Sequence, residues 1–286
     1  MAPLAHTLAL LAMVMATMAN EVKPLDMARV SSIGSGGGCR RAMTELLPAL
    51  KRSEFQQNPL FARVWAEAAA EWQRWGPLES PLSPDQATAI MAYTMKDVYK
   101  EFNDAVRVAG RSRQEYRDNF HFKTLHVLLI QAMARLRDAQ KGQCMEVFRR
   151  VCGVQFEAKR GDIVHFGELF SSLLSETTAN CSWKETLFKV YTCQGVDVSF
   201  FSHNSLNCGI LIPPFEIFEV TQVTKTGDKA VIQLRSTGTS SNDDCEWLEG
   251  DTTGDSLGGR GHPLAPFHLG GFLLATTAMA VATGIL

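Results

Sequence analysis

The feature that most constrains the fold is a change in sequence texture near residue 145. From Arg40 to about Gln140 the chain is rich in Ala, Leu, Met, Glu, Lys and Arg, which are good helix formers. From Met145 onward, short β-branched or aromatic runs are separated by Gly, Asp, Asn or Lys, and they indicate about six strands. Helices first and strands second predict an α+β domain, with helices packed on a sheet or sandwich.

Three segments of the first half have helical patterns. The segment "NPLFARVWAEAAAEWQRW" places apolar residues four apart, at Leu60, Val64 and Ala68. The segment "PLSPDQATAIMAYTMKDVYKEFNDAVRVAG" predicts one or two further helices, because it starts Pro-rich and stops at Gly. The segment "NFHFKTLHVLLIQAMARLR" has one apolar face, formed by Phe122, Leu125, Leu129, Met133 and Leu136. It is nearly apolar overall, so we expect a central helix there.

Both ends of the chain have the composition of processing signals. The first nineteen residues contain an apolar run from Leu8 to Val14, followed by small residues at Ala16 and Ala19. This predicts a secretory signal peptide over residues 1–19. The alternative is an N-terminal membrane anchor, although the run is short for crossing a bilayer.

The C-terminal end predicts a lipid anchor. Small residues at Gly254, Asp255 and Ser256 precede a Gly-rich spacer and an apolar tail from Phe267 to Leu286. This is the pattern of a glycosylphosphatidylinositol (GPI) attachment signal, so we expect residues 255–286 to be removed. The alternative is a transmembrane helix, which normally carries flanking Lys or Arg. The expected mature domain spans residues 20–250 and lies on the extracellular face of the plasma membrane.

Charge and cysteine usage narrow the class further. The net charge is −2 with a pI near 6.4, and scattered Lys and Arg argue against a nucleic-acid partner. None of the seven cysteines forms a Cys-x-x-Cys pair, so a zinc site is not expected and disulfides are. Seven is odd, so at least one cysteine has no partner within the chain. Asn180-Cys181-Ser182 is an N-glycosylation sequon.

Several segments together resemble one family. "AYTMKDVYKEFNDAVRVAGRSRQEYRDNFHFKTLH" is similar to the helical half of the vertebrate ecto-mono-ADP-ribosyltransferases. "VFRRV", "HFGELFSSLL", "VYTCQGVDV" and "ILIPPFEIFEV" resemble that family's strands in order. The likeness covers roughly Leu25 to Trp247. It implies the ADP-ribosyltransferase fold, with helices over about residues 40–140 packed on a β-sandwich over about residues 145–248.

The resemblance also implies a reaction. Active members of the family bind NAD, release nicotinamide and transfer ADP-ribose to a protein arginine, without a metal. They use an arginine, a serine and a Glu-x-Glu motif. Cleavage of the nicotinamide–ribose bond passes through an oxocarbenium-like state, which a carboxylate stabilises. An arginine suits the pyrophosphate because its fork of donors remains charged.

The family's motifs fall on particular positions of this chain. The resemblance places the arginine at Arg149 and the serine at Ser171, with Ser172 as the close alternative. Tyr93 and Ser202 match positions that line the cofactor in relatives, although each also fits a packed tyrosine or a loop serine.

Two other family positions have changed. Glu168 stands where the family has a Gln, within the expected cofactor site, and Leu173 stands where it has a second serine.

The Glu-x-Glu motif is missing. Counting back from Pro213 and Pro214, its positions are Asn207, Cys208 and Gly209, and the catalytic glutamate falls on Gly209. Two functions therefore compete. The chain is either an active arginine-specific transferase with a substitute acid, or a pseudoenzyme that acts as a binding module for an unknown surface partner.

The resemblance implies two disulfides, Cys39–Cys245 and Cys144–Cys193. It leaves Cys152, Cys181 and Cys208 without an assigned partner.

Overall fold

The computed structural model describes residues 21–25, 39–76, 79–110, 112–177, 181, 184–203 and 209–240. Both expected processing signals lie outside these residues. So do Asn180, Asn207, Cys208 and Cys245, and the Cys39–Cys245 pairing therefore stays a prediction. No helix within the described ranges has the length and apolar character needed to cross a bilayer.

The helical half occupies the first part of the domain, as the sequence texture predicts. Its helices are α1 (Cys39–Gln57), α2 (Pro59–Trp75), α3 (Pro84–Thr94), α4 (Lys96–Ala109), α5 (Arg113–Asn119) and α6 (Lys123–Ala139). The start of α3 shows why the boundaries fall where they do. Ser83 accepts a hydrogen bond from the backbone N–H of Gln86, and the Gln86 side chain accepts one from the N–H of Ser83. This reciprocal cap satisfies backbone donors that a helix start leaves free.

One strand, β1 (Glu21–Pro24), precedes the helices. The other described strands follow in the second half, and they are β2 (Met145–Cys152), β3 (Val154–Glu157), β4 (Ile163–Val164), β5 (Phe170–Ser172), β6 (Glu185–Thr192), β7 (Val196–Asp197), β8 (Ile210–Ile212), β9 (Glu216–Thr226) and β10 (Lys229–Thr239). They outnumber the six expected, because several apolar runs break. Gly153, with a φ of 82°, separates β2 from β3. Pro213 and Pro214 separate β8 from β9.

The strands form three sheets in the described residues. The largest has the order β2-β6-β10-β9-β4, a second has the order β5-β8-β7, and β1 pairs with β3. In the largest sheet β6 and β10 are parallel, whereas β2 pairs with β6 and β9 with β10 antiparallel.

The three-stranded sheet lies between two apolar cores. Leu211 belongs to the core of the helical half, whereas Ile210 and Ile212 belong to the core of the larger sheet. This division follows from the alternation of side chains along a strand. Side chains of β5, the strand paired with β8, alternate in the same way. Phe170 packs into the core of the larger sheet, and the next residue, Ser171, pairs with Leu211.

The central helix α6 is buried along most of its length. The side chains predicted to form its apolar face are each at most 5% exposed; they are Phe122, Leu125, Leu129, Met133 and Leu136. Glu54 of α1 caps its start, since its carboxylate accepts hydrogen bonds from the N–H groups of Lys123 at 2.6 Å and Thr124 at 2.9 Å. His126 lies deep in this core, beside Tyr116 and Phe120.

Two disulfides stabilise the β half. Cys144 and Cys193 are joined, as the resemblance implies, and they link the start of β2 to the end of β6. A second disulfide joins Cys152 to Cys181, a pair for which the sequence offers no assignment. Each bond constrains the unfolded chain and so contributes about 2 to 4 kcal/mol to stability.

Candidate functional site

A cavity of about 730 Å³ opens where the first turn of α4 meets strands β2 and β5. Its cationic or basic side chains are Lys96, Lys100, Arg149, Arg150 and His203. The other lining residues carry hydroxyl or apolar side chains. Among the described residues that line it, none is an aspartate or a glutamate.

Arg149 and Ser171, the two predicted catalytic residues, meet in this cavity. The guanidinium of Arg149 donates to the carbonyl oxygen of Ser171 at 2.6 Å and also to its hydroxyl oxygen. It donates to the hydroxyl of Tyr99 at 3.0 Å and stacks 4.9 Å above the ring of Phe170. The Tyr99 and Ser171 hydroxyl oxygens lie 3.1 Å apart. These contacts fix the orientation of a side chain that otherwise has many rotamers.

Strand geometry explains why Ser171, and not Ser172, faces Arg149. Successive residues of β5 point to opposite sides, and Phe170 occupies the sheet core. Ser171 therefore points toward α4, where Tyr99 lies. The Ser172 hydroxyl is instead turned back to the carbonyl oxygen of Ile210 at 3.3 Å. Both serines line the cavity, but the contacts favour Ser171 as the partner of the arginine.

Gly209 lies next to Ser172 and Leu173, two residues that line the same cavity. A β-carbon at this position would lie 3.7 Å from Cδ2 of Leu173 and 3.8 Å from the carbonyl oxygen of Ser172, both ordinary contact distances. Leu173 lines the cavity. Because Ile210 faces the sheet core, a side chain at 209 would point to the opposite side, toward the helices. The position therefore has room for a side chain directed at the site.

Glu168 lies beside the site but is paired with another arginine. Its carboxylate accepts a hydrogen bond from Arg107 of α4 at 2.5 Å. Burial raises the pKa of Glu168, and the charges of Arg107 and Arg149 offset only part of that rise. Glu168 is not one of the cavity's lining residues.

Tyr93 and Ser202 are both buried, and neither side chain lines the cavity. The Tyr93 hydroxyl donates to the carbonyl oxygen of Leu169 at 3.0 Å. Their chain neighbours Thr94 and His203 line the cavity instead, and the His203 N–H donates to the Thr94 hydroxyl at 2.9 Å. The NAD contact expected for Tyr93 and Ser202 therefore stays a prediction.

Sequence reasoning missed Tyr99 and Lys96. Both lie on α4, whose apolar face is clear from the sequence, but the sequence does not show which strand this helix covers. Among the described residues, no group of three or more His, Cys, Asp or Glu could hold a metal ion.

The chain is similar to several known proteins. A family model described as NAD:arginine ADP-ribosyltransferase matches residues 25–242. The erythroblast NAD(P)(+)–arginine ADP-ribosyltransferase of Gallus gallus is 44% identical over 229 residues, which cover 79% of this chain and 76% of that protein. The GPI-linked NAD(P)(+)–arginine ADP-ribosyltransferase 1 of Mus musculus is 38% identical over 243 residues, with 80% and 75% covered.

The solved structures show the same fold. The eukaryotic mono-ADP-ribosyltransferase ART2.2 superposes with a TM-score of 0.65 and 27% identity, over 79% of this chain and 99% of that one. A glutamate-to-isoleucine mutant of that enzyme in complex with NAD gives the same TM-score of 0.65 and covers the same shares. The predicted α+β fold is confirmed. The family model and the relatives, each spanning most of the chain, show that this protein belongs to the NAD:arginine ADP-ribosyltransferase family.

Proposed function

We propose that the protein binds NAD in the cavity described above but turns it over only near background, as a lipid-anchored pseudoenzyme outside the cell. One observation carries the proposal. The arginine–serine pair is assembled in the cavity, yet the position expected to face the ribose is Gly209, and the described lining has no carboxylate.

The contacts of Arg149 support NAD binding. Ser171 and Tyr99 hold the guanidinium in one orientation. Its remaining N–H donors make no hydrogen bond to the described residues, so they are available to a pyrophosphate. A guanidinium that is already held in one orientation binds phosphate oxygens more strongly than one on a flexible side chain, because the side chain loses less rotamer entropy when the ligand binds.

The missing acid explains why turnover should be low. As the nicotinamide–ribose bond breaks, positive charge develops on the ribose. Without a carboxylate facing that charge, the transition state loses several kcal/mol of stabilisation, on the order of a thousandfold in rate. Asparagine at position 207 can hold a hydroxyl but supplies no charge.

The alternative is an active arginine-specific transferase in which Glu168 replaces the missing acid. One observation favours it, because the charge of Arg149 acts on the Glu168 carboxylate. The ion pair with Arg107 opposes it, since that contact directs the carboxylate toward α4 and away from the cavity lining. A Glu168→Gln variant separates the two readings.

Restoring the acid should restore chemistry. The wild-type domain, without its tail, should show NAD hydrolysis and transfer near background in a labelled-NAD assay with an arginine-rich acceptor. Gly209→Glu should raise NAD hydrolysis by at least about tenfold, because it returns charge to the ribose side of the site. Adding Asn207→Glu should then favour transfer to arginine over transfer to water.

Matched variants make this assay decisive. Gly209→Gln has nearly the same shape without the charge and should stay near background. Arg149→Ala in the Gly209→Glu protein should abolish the gain. Strong wild-type turnover that requires Arg149 would overturn the pseudoenzyme assignment and, if lost in Glu168→Gln, would establish the substitute acid. Strong turnover that survives Arg149→Ala would refute the assigned site.

The cellular location is also a proposal. The sequence supports a signal peptide and a GPI attachment signal, and the name of the Mus musculus relative describes it as GPI-linked. We place the domain on the extracellular face of the plasma membrane, where it can meet extracellular NAD, protein arginines or a surface partner.

A further inference from the structure

We propose that the cavity prefers ADP-ribose, and related diphosphates with no positive charge at the far end, over oxidised NAD. The protein would then act by holding ADP-ribose and not by making it. This inference rests on the proposed function, because it assumes that Arg149 binds the diphosphate. It goes beyond it by naming the class of ligand that the altered site selects.

The charges of the cavity are the first step. Lys100, Arg150 and His203 each have a carboxylate partner outside the lining. The pairs are Lys100–Asp104 at 2.6 Å, Arg150–Glu185 at 2.8 Å and His203–Glu71 at 2.9 Å. By contrast, neither Lys96 nor Arg149 forms an ion pair with any described residue. Two cations without an ion pair therefore face the cavity, and of these two Arg149 has the Glu168 carboxylate in its vicinity.

Glu168 does not change this balance. It is the acid whose charge acts on Arg149, but its own ion pair is with Arg107. Burial raises its pKa, so the ionised form is disfavoured unless that arginine remains in contact. The negative charge of Glu168 is thus already paired with the positive charge of Arg107 on α4.

The ligands differ in the charge that they bring to this site. ADP-ribose, oxidised NAD and reduced NAD all carry the same diphosphate, with two negative charges that match Lys96 and Arg149. Oxidised NAD adds a pyridinium cation at its far end, whereas ADP-ribose has a hydroxyl there and reduced NAD has a neutral ring. In a partly enclosed cavity, an added cation among uncompensated cations is repelled.

Gly209 makes the difference specific to this chain. A glutamate at this position would point toward the site and oppose the pyridinium charge, whereas glycine offers nothing. The same substitution that removes the catalytic acid therefore removes the attraction for the cationic substrate. The contacts that orient Arg149 do not involve Gly209, because its partners Ser171 and Tyr99 lie on β5 and α4.

Isothermal titration calorimetry on the tail-free domain tests the inference. The ligands are ADP-ribose, reduced NAD and carba-NAD, which keeps the pyridinium but cannot be hydrolysed. Wild type should bind ADP-ribose and reduced NAD about tenfold more tightly than carba-NAD. Gly209→Glu should remove or reverse this preference, and the uncharged Gly209→Gln should preserve it.

A lysine pair on one helix turn provides the matched control. Lys96→Gln should weaken binding of ADP-ribose and reduced NAD about equally, because it removes an unpaired cation that serves the diphosphate. Lys100→Gln should have a smaller effect, since Lys100 is already paired with Asp104. A larger loss of ADP-ribose affinity in Lys100→Gln than in Lys96→Gln would contradict the assignment of Lys96 as the unpaired cation of the cavity.

The same experiment distinguishes free ADP-ribose from ADP-ribose that is attached to a protein. A peptide with ADP-ribose attached to arginine carries a guanidinium at the far end, so we expect it to bind more weakly than free ADP-ribose. Tighter binding of the peptide would overturn the inference.

The two proposals fail in different ways. If wild type binds carba-NAD as tightly as ADP-ribose and reduced NAD, and Arg149→Ala abolishes all binding, the inference is wrong while the NAD site stands. If none of the ligands binds wild type, the proposed function fails with it.

Discussion

Glu216 is the most completely buried carboxylate near the strands of the site, with no exposed surface. It accepts hydrogen bonds from the Thr192 hydroxyl at 2.5 Å and from the N–H groups of Cys193 at 2.6 Å and Gln194 at 3.0 Å. These contacts hold the turn between β6 and β7. Glu216 is therefore a structural residue and not the substitute for the missing catalytic acid.

Removing this carboxylate should cost stability and not chemistry. Glu216→Ala leaves the buried Thr192 hydroxyl and the partly buried N–H groups of Cys193 and Gln194 without this partner, so we expect the free energy of unfolding to fall by about 3 kcal/mol. Denaturant unfolding monitored by fluorescence measures the loss. Glu219→Ala, on the same strand, is the control and should change stability much less. In the Gly209→Glu background, activity per folded molecule should be unchanged by Glu216→Ala, and a selective loss of activity would contradict the structural role.

At this scale, counting from a motif gives a definite position for a candidate residue. Counting back from Pro213 locates Gly209, which lies next to Ser172 and Leu173 of the cavity lining. Arg149 and Ser171 are in contact in the cavity, and their roles toward NAD stay predictions. Tyr99 could not be found in this way, because its role depends on how α4 packs against β5.

The helix α6 contains a buried base that makes the domain sensitive to acid. His126 is 2% exposed, and neither ring nitrogen has a hydrogen-bond partner among the described residues. Burial lowers its pKa from 6.5 to about 4. Between these values the unfolded chain binds a proton that the folded domain excludes, so stability falls as the pH falls from about 6.5 toward 4.

The expected effect can be measured with one substitution. His126 alone should reduce the free energy of unfolding by about 2 kcal/mol between about pH 7.5 and about pH 5. His126→Leu should remove this part of the pH dependence and remain folded at neutral pH, because the ring makes no hydrogen bond to the described residues. Thermal unfolding at both pH values tests this. An identical acid dependence in the variant and the wild type would contradict it.

The element boundaries show what the sequence could not specify. The first β-branched and aromatic run after residue 145, "MEVFRRVCGVQF", has the composition of a strand, but Gly153 divides it between two sheets. The Cys152–Cys181 disulfide was also not predicted. Its pairing depends on the backbone of residue 181 lying beside β6, where the Cys181 N–H donates to Glu185 at 3.2 Å. No local pattern in the sequence encodes that proximity.

The whole molecule should be attached to the membrane by lipid alone. Phosphatidylinositol-specific phospholipase C should release the full-length protein from intact cells, because we expect the apolar tail to be exchanged for a glycolipid near Gly254 to Ser256. Protein ending at residue 250 should be secreted without treatment, and it serves as the control. Retention after treatment, together with an intact tail peptide by mass spectrometry, would show a spanning helix instead.

Apart from β1, which precedes the helices, the order of helices and strands was the most predictable property of the whole molecule, since composition alone separates the two halves at about residue 145. How the halves join was not predictable. The three-stranded sheet is shared between two cores through single alternating residues, Leu211 toward the helices and Ile210 and Ile212 toward the larger sheet.

The space around Gly209 has a consequence for how such a protein is treated by the cell. The secretory pathway inspects whether a chain is folded, and a β-carbon at position 209 would meet its nearest neighbours at ordinary contact distances, so glycine and glutamate both fit the fold. A chain that carries glycine there should therefore leave the endoplasmic reticulum, receive its anchor and reach the surface as readily as a glutamate-bearing one. Loss of the acid at this position would be invisible to quality control, so the binding role that we propose at the cell surface requires no further change to the fold.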